Sequence, residues 1–131
     1  MLGEEDKVKY WLGLALYDFD TAKAMLDTKR FLYVGFMCHQ VIEKTLKAYF
    51  VSTAKASPPY THNLTLVAQK SGIYTSLSDD QKDVIDFLEP LNIEARYPTV
   101  KEKLLKILTE QKCTEIINKT EELYKWVLEK C

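Results

Sequence analysis

Between Phe36 and Tyr49 the apolar residues recur at steps of three and four, a period that only an α-helix satisfies. Phe36, Val41 or Ile42, Leu46 and Tyr49 or Phe50 fall on one stripe, and Gln40, Glu43, Lys44 and Lys47 crowd the polar strip beside it. The stripe makes a core helix. The strip contains the pairs Gln40–Glu43, Gln40–Lys44 and Glu43–Lys47, the last with the acid N-terminal to the base, the favourable order on a helix. A solvated, salt-bridged face would explain these pairs, and a functional surface would explain them equally well. No stretch alternates with a period of two, so the chain offers nothing from which to build a sheet.

The same reading extends in both directions. A first helix is expected from about Asp6 to Asp27, burying Val8, Trp11, Leu12, Ala15, Phe19, Ala22 and Leu26. Thr28 to Arg30 leaves room only for an antiparallel return, into a second helix from about Phe31 to Ser52. Pro58 and Pro59 forbid helix in the loop from Thr53 to Tyr60. Thr61 can cap a short third helix, Asn63 to Lys70, which Ser71-Gly72 closes. Ser78 and Gln81 have the spacing of a capping box and open a fourth helix, with Val84, Ile85, Leu88, Leu91 and Ile93 inward. Pro90 should kink or restart that helix near Glu89, and Pro98 should end it. Lys101 to Leu108 is ambiguous. A last helix from Thr109 or Glu110 to Glu129 turns Cys113, Ile116, Ile117, Thr120, Leu123, Val127 and Leu128 inward. The expectation is a single all-α domain over residues 1–131, an antiparallel bundle of about five helices.

Charge and cysteine usage narrow the function. With 18 basic and 19 acidic residues the formal net charge is −1, so no global field attracts a polyanion and any nucleic-acid contact must be local. Cys38, Cys113 and Cys131 are odd in number and unpatterned, which argues against a disulfide framework and for a reducing cytoplasm. Cys38 and Cys113 read as small core residues and Cys131 as a frayed terminus. The first residues carry acids where a signal peptide needs bases, and no apolar run approaches the roughly 20 residues of a membrane span. The four glycines form no phosphate loop, and His39 and His62, the two histidines, do not make a metal site with Cys38. Neither a metal nor a cofactor is called for.

His62, just beyond the proline loop, would by itself be read as a local anchor of that loop. Arg96, between a kinked helix and Pro98, has the rigid setting that suits a phosphate fork, with Tyr97 beside it.

Taken in order, Trp11, Ala15, Asp18 and Ala22, then Phe36 with Gln40-Val-Ile-Glu43-Lys44 and Leu46-Lys47, then Thr61-His62-Asn63-Leu64, then Ala95-Arg96-Tyr97-Pro98, resemble the HEPN family. The resemblance covers almost the whole chain. It implies a bundle of four or five helices that pairs into a homodimer, binds nucleotide or RNA, and often works beside a minimal nucleotidyltransferase as a toxin–antitoxin-like pair. Many relatives are metal-independent ribonucleases with an Arg and, four to six residues on, a His near the last helix. This chain has no histidine beyond His62, so the imidazole of that motif is missing and nuclease activity does not carry over. The tyrosine-containing form of the motif is absent too.

The resulting expectation is a binding module in which Lys47, His62 and Arg96 converge, leave uncompensated positive charge and hold a phosphate-bearing ligand, while Tyr97 stacks on a base and Gln40, Glu43 and Lys44 support them. The alternatives are a ribonuclease that uses Arg96 and His62, and a structural dimeric adaptor. Trp11, Leu14, Leu16, Tyr17, Trp126 and Val127 spread over more than one face of the first and last helices, which points to a helix-mediated homodimer.

Overall fold

The computed structural model describes residues 3–92 and 98–131. These form six α-helices: α1 (Glu4–Asp27), α2 (Phe31–Ala54), α3 (Leu64–Ser71), α4 (Asp79–Leu88), α5 (Pro98–Ile107) and α6 (Glu110–Leu128). Two 3₁₀ turns, Ile73–Ser76 and Glu89–Asn92, link them, and no strand occurs among the described residues. None of these helices is long and apolar enough to cross a membrane.

Local chemistry explains the boundaries. Glu4, Glu5 and Asp6 place negative charge in the first turn of α1, where the helix dipole favours it. The Ser78 hydroxyl accepts the Gln81 N–H while the Gln81 side chain accepts the Ser78 N–H, so the capping box closes as expected. Thr109 caps α6 in the same way, accepting from Lys112 N–H. Gly72 ends α3 in the left-handed region at φ +85°, which a side chain would resist.

Three expectations change. The cap of α3 is Asn63, whose side chain accepts the Leu66 N–H, so the helix begins at Leu64; the Thr61 hydroxyl instead takes the Asn63 N–H. Pro90 does more than kink α4: the helix stops at Leu88 and the proline sits inside the turn Glu89–Asn92. Pro98 opens a helix instead of ending one, because the first helical position needs no N–H and accepts a fixed φ. The ambiguous stretch is therefore α5, and six helices replace about five.

α2 is the central helix, packed against every other helix, with α1 as its antiparallel neighbour. Val34, Cys38, Val41, Ile42, Leu46 and Val51 are all buried along it. Ala15, Phe19 and Ala22 of α1 meet it as expected, but Val8, Trp11, Leu12 and Leu26 are half-buried, and Asp18 is buried in their place. On α6 the expected face is inside except Leu128, which is exposed. Ile93 lies outside the described residues. Cys131 packs against the core and is not frayed. Gly35 lets the turn after α4 come close: a Cβ there would stand 2.9 Å from Leu91 Cδ1. That approach seats Glu89–Asn92 against the polar strip of α2.

Candidate functional site

The strip on α2 is not a solvated face. It points into the seams between α2 and its neighbours, and three of its four residues find partners on other elements. Gln40 donates to the Asn92 side chain at 2.9 Å, joining α2 to the turn Glu89–Asn92. Lys44 pairs with buried Asp18 of α1. Glu43 is itself buried, 3% exposed, and both its oxygens are engaged. Its Oε2 accepts from Lys47 Nζ at 3.1 Å and its Oε1 lies 2.8 Å from His62 Nδ1. Of the three pairs expected within the helix, Glu43–Lys47 forms, while Gln40 and Lys44 turn to Asn92 and Asp18.

Burying a carboxylate is costly unless charge and hydrogen bonds accompany it. Here Lys47 supplies the charge and His62 the second bond. Lys47 is equally confined, 6% exposed, with Trp11 beneath it at 5.6 Å from ammonium to ring centroid. The expectation that Lys47 adds uncompensated positive charge to a cleft is therefore corrected: Glu43 neutralises it, and its position is interior. His62 differs, since its side chain is 67% exposed while Nδ1 reaches inward to Glu43.

His39, set aside in the sequence, completes the cluster. It is fully buried, with Nδ1 3.9 Å from Glu43 Oε1 and Nε2 3.8 Å from Glu89 Oε2, and Nε2 has no hydrogen-bond partner among the described residues. Burial pushes its pKa down to about 4; the Glu43 charge and a hydrogen bond with the His62 main chain oppose that shift without overcoming it. At neutral pH the ring is uncharged. Glu89 also binds the start of α3, its Oε1 accepting the Thr65 N–H at 3.0 Å. The site is thus a junction of α2, the loop before α3 and the end of α4.

Arg96 and Tyr97 lie outside the described residues. The chain reaches Arg96 four residues after Asn92, whose side chain is held by Gln40. His39, Glu89 and Asn92 were not singled out as site residues from the sequence, and Asp18 entered only among the residues that carry the resemblance. Its place as a polar residue at a core-facing step of α1 was the signal that it is buried against a partner. The cysteines offer no nucleophile: burial pushes Cys38 up to about 12 and Cys113 up to about 11, so both stay protonated. Among the described residues no group of three or more His, Cys, Asp or Glu side chains is placed to hold a metal ion. A separate groove of about 650 Å³ runs between α4 and α6, over Phe87, Ile116 and Trp126.

A family model for the HEPN domain matches residues 8–131. The chain belongs to the HEPN domain family. No curated protein matches it. Among solved structures, the crystal structure of TT1696 from Thermus thermophilus is similar, with a TM-score of 0.78 and 16% identity over 95% of this chain and 98% of that one. At that identity the likeness concerns the fold alone. Within this HEPN chain, Glu43, one of the residues that carried the resemblance, meets two others, Lys47 of α2 and His62 of the loop, whereas Gln40 meets Asn92.

Proposed function

We propose that this HEPN domain is a nucleotide- or RNA-binding module, that it acts as a homodimer, and that it partners a minimal nucleotidyltransferase in a toxin–antitoxin-like pair. Family membership supports nucleotide or RNA binding in general. The observation that carries the reading is that the His62 loop meets α2 at Glu43 while the turn Glu89–Asn92 meets the same helix at Gln40 and His39, with Arg96 following that turn in sequence. His62 and Arg96 hold phosphate and Tyr97 stacks on a base, while Lys47 acts behind them by holding Glu43 in place.

Dimerisation has support of its own. Tyr10, Leu14 and Tyr17 share one face of α1, and Tyr10 and Tyr17 are 59% and 72% exposed. Trp11, Leu14 and Trp126 are not fully buried, whereas Val127 belongs to the core and drops out of the expected interface.

A second reading, RNA cleavage with Arg96 and His62, draws on the carboxylate behind His62. One experiment tests both. Fluorescence titration of a labelled single-stranded RNA should show weak, salt-sensitive binding that His62→Ala reduces, and the same RNA should remain intact on a gel. Absence of binding at low salt contradicts the proposal, and cleavage that His62→Ala abolishes replaces it with the second reading.

A further inference from the structure

We propose that His62 is a covalent acceptor, whose Nε2 takes a phosphoryl group from a phosphoramidate or acyl-phosphate donor. The proposal goes beyond ligand binding and stands without the nucleotidyltransferase partner. It begins at Glu43, a carboxylate that can only accept, so the hydrogen of the neutral imidazole must sit on Nδ1, 2.8 Å away. The lone pair is then on Nε2. A histidine whose tautomer is fixed by a buried carboxylate has the electronic arrangement of a nucleophile backed by an orienting acid.

Three further features suit that role. Lys47 holds the other carboxylate oxygen at 3.1 Å, so the buried Glu43 side chain is fixed in direction. The His62 side chain is 67% exposed, which admits a donor or a transferring protein. The loop is held from both sides, by Pro58-Pro59 before it and by the Asn63 cap after it, so the ring does not have to be ordered at the moment of reaction. His39 is the internal contrast. It too lies near Glu43 and Glu89, but it is fully buried and out of reach of any donor.

With phosphoramidate as donor, the Nε2 lone pair attacks phosphorus, a nitrogen–phosphorus bond forms, and the donor's own phosphorus–nitrogen bond breaks. The nitrogen of the donor is in its protonated, zwitterionic form (–NH3⁺), so it takes the electron pair of the broken bond and departs as neutral ammonia with its three protons. The ring becomes cationic, and its Nδ1–H faces the Glu43 carboxylate, which stabilises that charge.

The test is to incubate the full chain with potassium phosphoramidate, beside N-acetylhistidine, and to follow intact mass and the modified residue by mass spectrometry. The expected result is a single acid-labile, base-stable phosphoryl group on His62, gained faster than on N-acetylhistidine. Glu43→Gln should slow it by on the order of tenfold or more. Should that variant misfold because Lys47 is left unpaired, Glu43→Gln combined with Lys47→Met removes both charges and should show the same loss. Labelling of His39, labelling of His62 no faster than N-acetylhistidine, or an unchanged rate in the folded Glu43 variants overturns the proposal.

Discussion

Glu43 shows how a residue's chemistry depends on partners that are distant in sequence. Its four-step neighbour Lys47 was legible from helical spacing, but His62 lies nineteen positions away and Asn92 stands fifty-two from Gln40, and no periodicity encodes such contacts. His39 was illegible for the same reason: only the packed structure shows that it is buried between Glu43 and Glu89. That burial has a pH consequence. The unfolded chain protonates His39 near the ordinary 6.5, the folded chain only at about 4, so within that window the unfolded state holds more protons. Stability should therefore fall as pH drops from 6.5 to 4, by up to about 3 kcal/mol from this ring, and be flat in this respect above 6.5. Urea denaturation across that range should show His39→Leu lacking this part of the slope; an identical slope would mean that the ring is not held neutral. Ile42 and Leu46 are 1% and 0% exposed, and truncating either to Ala should cost roughly 2–5 kcal/mol in the same measurement.

Helices were the most legible elements because each carries its own signals. The period of α1, α2 and α6, the capping box of α4 and the glycine stop of α3 are local chemistry, and the structure follows them. Proline was less legible, since one residue can end a helix or begin one. Pro90 interrupts because it falls where α4 would need its N–H, and Pro98 initiates because a first turn does not. The seat of the turn Glu89–Asn92 rests on Gly35, and a side chain there meets Leu91 at 2.9 Å and Leu108 at 3.4 Å. Gly35→Val should destabilise by about 1–3 kcal/mol through overpacking, read from the denaturation midpoint, whereas Gly13→Val, with open space around it, should leave that packing intact. Equal losses at both positions would point to helix propensity alone.

For the molecule as a whole, the all-helical pattern was enough to place the chain in its fold class, and the joint order of the motifs was enough to place it in its family. The apolar stripe of α1 should give a dimer in sedimentation velocity at micromolar concentration, and Tyr10→Glu with Tyr17→Glu should return the monomer with its helical content unchanged. A wild-type monomer would remove the dimer from the proposed function. The proposed binding role requires that His62 and Arg96 act on one phosphate. The decisive measurement is an RNA titration, at low and at physiological salt, of the wild type, Arg96→Lys, Arg96→Ala and His62→Ala. Affinity should fall in the order wild type, Arg96→Lys, Arg96→Ala, because lysine keeps the charge and loses the planar fork, and His62→Ala should weaken binding as well. Curves for the wild type and Arg96→Ala that superimpose would contradict a phosphate site at this junction.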